Sequence, residues 1–237
     1  YGNAENATLT GIDLKVGKGE TIGIIGGTGA GKTTLVQLLP RFFDASEGQV
    51  LVDGVDVREY ELKELRSKFG IVPQKNELFS GTIAENLRWG NLNASDEDVI
   101  CAAKIAQAHE FISELPQGYD SLVSAGGVNF SGGQRQRLAI ARALVRQPEF
   151  LILDDSSSAL DFATDSALRH AIRVACATTT VFLISQRAST LREADKIAVL
   201  SEGTLVGLGK HEELLKSCEV YREIYYSQTK EDGGATA

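Results

Sequence analysis

The sequence predicts an α/β protein with a mainly parallel sheet. Short apolar runs alternate with stretches of helical spacing along most of the chain. Phe150-Leu151-Ile152-Leu153 and Thr180-Val181-Phe182-Leu183-Ile184 are near-continuous apolar runs, the pattern of strands covered on both faces. Thr21-Ile22-Gly23-Ile24-Ile25 passes through a glycine-rich loop into Thr34-Leu35-Val36-Gln37-Leu38-Leu39, which reads as the first turns of a helix.

Taken in order, Leu9, Ile12, Leu14 and Val16 mark an alternating segment, and Gly17-Lys18-Gly19-Glu20 turns it toward the first buried strand, as an antiparallel hairpin would. Pro40 ends the first helical pattern. Asp53-Gly54 between Val50-Leu51-Val52 and Val55-Asp56-Val57 is a hairpin signal. Leu62 and Leu65 place a helix over 61–67, and Phe69 to Gln74 reads as a strand. Residues 82–87, 95–109 and 110–115 read as helices, with Ser95 and Asp98 as a helix-start signal. This middle third has few β-branched runs and is expected to form an inserted helical subdomain, about 76–147. A helix follows Ser131-Gly132-Gly133-Gln134 to about Arg146, where Pro148 stops it. Residues 164–175 and 212–226 are further helices, and Ser201-Glu202-Gly203 joins two strands as a hairpin. The Gly-rich end from Lys230 is expected to be a disordered tail.

Hydrophobic residues make up 43% of the 237, enough for a packed core. No stretch approaches the roughly 18 uninterrupted apolar residues of a membrane span. The formal net charge of −8 argues against nucleic acid as the main partner. Cys101, Cys176 and Cys218 are widely spaced and odd in number, and read as reduced thiols. Methionine is absent and the chain starts at Tyr1, so a piece of a longer protein is expected.

Gly26-Gly27-Thr28-Gly29-Ala30-Gly31-Lys32-Thr33 fits the phosphate-loop pattern in its strand–loop–helix context. Glycines let backbone N–H groups approach phosphate oxygens, and the helix N-terminus adds unpaired donors. Gly27, Thr28, Gly29, Ala30, Gly31, Lys32, Thr33 and Thr34 are therefore candidate nucleotide contacts. Lys32 would reach the β- and γ-phosphates and the Thr33 hydroxyl would ligate Mg²⁺.

Several stretches together resemble the nucleotide-binding domain of ABC transporters, and they occur in that family's order over nearly the whole chain. Gln74 matches the Q-loop glutamine and Phe130-Ser131-Gly132-Gly133-Gln134 the signature motif. Leu151-Ile152-Leu153-Asp154 matches Walker B, and Ser158-Ala159-Leu160-Asp161 the D-loop. Leu78-Phe79-Ser80-Gly81-Thr82-Ile83-Ala84-Glu85-Asn86-Leu87 is similar to a stretch typical of ABC exporters. Tyr1, 31 positions before Lys32, is placed like the aromatic residue that stacks on adenine there. The resemblance implies a P-loop NTPase (RecA-like) core with an antiparallel β subdomain and a helical insert. It implies ATP and Mg²⁺ as cofactors, with Thr33, Gln74 and Asp154 at the metal. It also implies a transmembrane domain elsewhere in the same protein, with this domain at the cytoplasmic face of the cell membrane. Two such domains sandwich ATP, so Ser131, Gly132, Gly133 and Gln134 would serve a partner's nucleotide.

Two departures from the family pattern stand out. Asp155 occupies the place of the glutamate that positions or deprotonates the attacking water, and its carboxylate is one methylene shorter. Gln186, in Ser185-Gln186-Arg187-Ala188-Ser189-Thr190, occupies the place of the switch histidine and cannot carry a proton. Ser156-Ser157 replace the usual Pro-Thr, and Ala125 stands where the exporter X-loop carries a glutamate. General acid–base help is worth about 10²–10⁴ in rate. With Gln74 in its usual place and both other catalytic positions altered, the chain resembles the degenerate half of a heterodimeric exporter, which binds Mg-ATP and hydrolyses it weakly while its signature completes the partner's site. The alternatives are a fully active homodimeric exporter ATPase, a soluble non-transport ABC ATPase and a nucleotide sensor.

Overall fold

The computed structural model describes residues 8–156 and 159–232. Tyr1, Ser157, Ser158 and the tail residues 233–237 lie outside them, so the expectations placed there do too. In chain order the elements are β1 (Thr21–Gly26), α1 (Lys32–Leu38), β2 (Leu51–Val52), β3 (Val55–Asp56), α2 (Leu62–Ser67), β4 (Phe69–Val72), β5 (Gly81–Thr82), α3 (Ile83–Arg88), α4 (Asp96–Ile105) and α5 (His109–Ser113). There follow β6 (Leu122–Val123), α6 (Gly132–Leu144), β7 (Phe150–Asp154), α7 (Phe162–Ala175), β8 (Thr180–Ile184), α8 (Ala188–Leu191), β9 (Lys196–Ser201), β10 (Thr204–Gly209), α9 (His211–Ser217) and α10 (Glu219–Asp232). The chain divides into two compact units, one holding the residues up to Phe69 and from Thr180 onward, the other Gly70–Thr179.

In the first unit the strands lie in the order β10-β9-β1-β8. β1 is parallel to both neighbours, with Ile24 opposite Ile184 and Gly26 opposite Leu200. Ile22, Ile24 and Ile25 are fully buried, as are all five residues of β8 to within a few per cent. This is why both runs read as apolar without alternation. Helices α1, α8 and α10 pack on β1. Gly23 lets α8 come close, since a Cβ there would sit 3.2 Å from Leu191. Two hairpins turn on left-handed pairs, Asp53-Gly54 (φ 51° and 81°) and Glu202-Gly203 (φ 47° and 76°), the geometry that matches strand twist.

Four sequence expectations are corrected. Residues 9–16 form no strand among the described residues: Ile12, Leu14 and Val16 are half-buried and Asp13 and Lys15 exposed, so the alternation is real. It reports one-sided burial rather than strand pairing, and the Thr10 N–H donates to the Gly203 carbonyl at 2.9 Å. The helix expected over 95–109 ends at Ile105. Gln107 adopts φ 56°, the Gln107 N–H donates to Lys104 O and the Ala108 N–H to Ala103 O, which is a Schellman stop with glutamine in place of glycine. The helix expected over 212–226 is two helices, split at Cys218, which is extended (φ −118°, ψ 110°) and buried, with Sγ 2.9 Å from where a Cβ on Gly207 would sit. α10 continues to Asp232, past the point where a tail was expected to start.

In the second unit β7 lies beside β4, and β5 pairs antiparallel with β6. α6 is the central helix, with α3 and α4 packed on it. Its Leu138, Ile140 and Ala141 are fully buried. Capping boxes start α3 (Thr82 with Glu85), α4 (Ser95 with Asp98) and α6 (Ser131 with Gln134). No described helix is long and apolar enough to cross a membrane.

Candidate functional site

β1 delivers the glycine loop at its C-terminal end. A Cβ on Gly26 would lie 2.2 Å from the Leu200 carbonyl oxygen of the neighbouring strand, so only glycine fits there. Gly29 and Gly31 take left-handed conformations (φ 80° and 93°), and Gly31 is the N-cap of α1. A Cβ on Gly27 or Gly29 would meet nothing within 4 Å, so the loop faces open space there. The Lys32 ammonium is held over the loop by the carbonyls of Gly26 and Gly27, each at 2.8 Å. Thr28 and Ala30 lie between these glycines, with the Ala30 N–H closing a turn onto Gly27 O at 3.2 Å. Thr33 and Thr34 lie in the first turn of α1. The loop offers a positive cradle of backbone and ammonium donors, which suits a polyphosphate.

β8 runs parallel to β1 and the Ser185 N–H bonds to Ile24 O, so the segment after β8 leaves the sheet at the same end as the glycine loop. Ligand sites on open parallel sheets form at those strand ends. Gln186 lies there with an exposed side chain. The Ser185 hydroxyl accepts from the Arg187 N–H at 3.0 Å.

In the second unit, Gln74 follows β4, Asp154 ends β7 and Asp155 comes next. Gln74 Nε2 donates to Asp155 Oδ2 at 3.3 Å, which brings two of the predicted residues together. Asp155 has φ 48°, uncommon for a residue with a Cβ, though Asp takes it more readily than most. Asp154 is buried. Oxygen donors such as Thr33, Gln74 and Asp154 are the kind Mg²⁺ takes.

The signature residues form the start of α6. Ser131 Oγ accepts from the Gln134 N–H at 3.2 Å, and Gln134 Oε1 accepts from the Ser131 N–H at 2.9 Å. The Ser131 hydroxyl therefore keeps its own proton available to donate outward. Ala159 packs against this turn: a Cβ on Gly133 would sit 3.1 Å from its carbonyl oxygen, and one on Gly132 3.7 Å from its Cβ. Larger residues at 133 would push the D-loop segment away, a link that spacing alone does not reveal. The Asp161 carboxyl, which caps α7, is held below its ordinary value by the Thr164 backbone N–H and then its hydroxyl. Asn76 Nδ2 donates to Gln136 Oε1 at 2.6 Å, tying the segment after Gln74 to α6. Neither residue was singled out by the sequence, where each is an ordinary amide.

The exporter-like stretch is explained by its bonds. Asn86, 1% exposed, accepts from the Phe79 N–H and donates to the carbonyls of Phe79 and Thr82 at 2.8, 2.8 and 3.0 Å. Ala125 opens the short 3₁₀ segment Ala125–Gly127, whose Gly126 and Gly127 are left-handed, and the Gly126 N–H bonds to Leu78 O.

A family model described as ABC transporter matches residues 9–158. The chain belongs to the ABC transporter family. It is 43% identical over 228 residues to a protein of Staphylococcus aureus (strain NCTC 8325 / PS 47) named as a multidrug export ATP-binding/permease protein, covering 96% of this chain and 39% of that one. A counterpart from the bovine strain RF122 / ET3-1 gives the same identity and coverage. Among solved structures, that of a bacterial Atm1-family ABC exporter with ATP bound superposes with a TM-score of 0.92 at 39% identity, over 95% of this chain and 40% of that chain. The chain thus spans about two fifths of the length of the relatives it matches, and its fold is the α/β P-loop NTPase fold of an exporter's nucleotide-binding domain.

Proposed function

We propose that this chain is the ATP-binding cassette of an ABC exporter, that it couples ATP-dependent pairing of two cassettes to an adjoining transmembrane domain, and that its own ATP site turns over weakly. The observation that carries the last point is Asp155. The carboxylate is short, sits on a left-handed backbone and accepts from Gln74, and the switch position on β8's end holds Gln186 rather than a proton carrier.

The binding groups support the reading from the other side. Lys32 and the loop N–H groups would hold the triphosphate, and Tyr1 would stack on adenine. Thr33, Gln74 and Asp154 would hold Mg²⁺, which supplies charge neutralisation for the β- and γ-phosphoryl oxygens. Asp155 would reach the attacking water only at longer range than a glutamate, and Gln186 would donate a hydrogen bond without sharing a proton. A misplacement of about 1 Å in a catalytic group can cost about 10²-fold. The capped start of α6, with Ser131, Gly132, Gly133 and Gln134, would face the γ-phosphate held by a second cassette, which this reading takes to be a different subunit. The cytoplasmic face of a membrane is the setting that follows, and a multidrug-type substrate is suggested by the names of the relatives.

The test is single-turnover hydrolysis in the assembled transporter, with ATP affinity from calorimetry. Wild type is expected to bind ATP and turn it over at least about 10²-fold slower than the Asp155→Glu, Gln186→His double variant. Brisk wild-type turnover abolished by Asp155→Asn would instead make this an ordinary active cassette.

A further inference from the structure

We propose that Gln228, on the C-terminal helix, is a positioning residue for the switch segment and sets where the side chain at 186 lies; this rests on the reading that residue 186 faces the nucleotide. Gln228 is half-buried on α10, which packs on α8, β1 and β9. Its side-chain amide engages the switch backbone twice. Nε2 donates to the Gln186 carbonyl at 2.6 Å, and Oε1 accepts from the Ala188 N–H at 2.9 Å. A carbonyl and the N–H two residues on are what one strand edge offers to the next, so the amide acts as a one-residue strand partner. Arg187, between the two bonds, is extended (φ −93°, ψ 118°), as such pairing requires.

The remaining local bond points the same way. The Arg187 N–H is taken by the Ser185 hydroxyl, and Ala188 opens α8, where a first-turn N–H has no partner inside the helix. Gln228 supplies that partner. With the main chain of residues 185–188 held on one side by the bond from Ser185 N–H to Ile24 O of β1 and on the other by Gln228 of α10, the Gln186 side chain has a defined origin on an exposed edge. A shift of α10 would move that origin directly. The contact separates residues 42 positions apart, so α10 is a physical route by which anything bound to the C-terminal helix would alter turnover.

The experiment uses Gln228→Ala and the near-isosteric Gln228→Glu in the full-length transporter, and reads two things. The first is hydrogen exchange at the Ala188 amide, which needs no turnover. The second is single-turnover hydrolysis and the ATP concentration at half-maximal rate, in the Asp155→Glu, Gln186→His background, chosen because Gln228 bonds main-chain atoms and neither change removes one. Gln228→Ala should raise Ala188 exchange at least about tenfold and lower the rate by about 10- to 10²-fold with the half-maximal concentration unchanged. Gln228→Glu keeps the acceptor for Ala188 but opposes a carboxylate to the Gln186 carbonyl. Its rate, relative to the Gln228 parent at each pH, should be low at pH 8 and recover toward pH 5 as protonation restores a donor. Unchanged Ala188 exchange overturns the proposal, as does faster exchange with an unchanged rate. A background that fails to turn over at all counts against the functional reading instead, and is seen before any change at 228; the exchange result then decides the clamp by itself.

Discussion

Replacing Gly26 by alanine should damage folding and nucleotide binding together. The added Cβ would stand 2.2 Å from the Leu200 carbonyl oxygen and 3.1 Å from the Ala30 Cβ. The first is backbone of β9, paired in register with β1 at this residue, so no side-chain rotation relieves the clash. One strand end must move, at the cost typical of overpacking, about 1–3 kcal/mol. For a chain of this size that lowers Tm by roughly 2–4 °C per kcal/mol. The displaced Gly26 carbonyl is also one of the two that hold Lys32, so ATP affinity should drop by at least about tenfold, or 1.4 kcal/mol. Gly27→Ala is the control: its Cβ enters open space, and its stability should stay within about 0.5 kcal/mol of wild type. Thermal unfolding and calorimetric ATP titration of both variants measure this. A Gly26→Ala protein that melts and binds like wild type would show that this strand end tolerates a Cβ.

Ser131→Ala removes the cap of α6 and should cost about 0.5–2 kcal/mol in urea unfolding, while also weakening any hydrolysis at the partner's site, measured in mixed-subunit assays. Asn86→Ala leaves a buried N–H and two carbonyls short of partners and should cost about 2–4 kcal/mol, read by the same unfolding curves, whereas Asn86→Gln should recover little because the bonds are tight. His211 is buried against the Tyr221 hydroxyl at 2.7 Å, and burial, then Arg192, pushes its pKa below 6.5. The unfolded chain then binds the proton first, so stability should fall as pH drops below about 6.5, and His211→Gln should flatten that dependence in unfolding measured from pH 7.5 to 5.

Much of the fold was legible because burial writes itself into composition. β1, β7 and β8 are covered on both faces and read as apolar runs; α3, α4 and α6 begin at capping boxes whose partners are three residues apart. What could not be read depends on distant partners. Gln107 stops a helix in a left-handed conformation usually taken by glycine, and its carbonyl is held by Arg137 at 2.7 Å, thirty residues on. Residues 9–16 alternate like a strand yet pair with none among those described. Among the candidate functional residues, motif chemistry singles out Lys32, Gln74, Asp155 and Ser131, but the Gln74–Asp155 bond, the seat of Ala159 on Gly133 and the bonds of Gln228 to Gln186 and Ala188 are tertiary facts.

On the proposed reading, this chain's site holds ATP and turns it over far more slowly than its partner's site does. The most direct measurement is to load the assembled transporter with radiolabelled Mg-ATP under conditions of one nucleotide per site, and to identify by chromatography the nucleotide still bound after the solution pool has turned over. About one bound nucleotide per two cassettes should be intact ATP. ADP at both sites on the same timescale would contradict that reading.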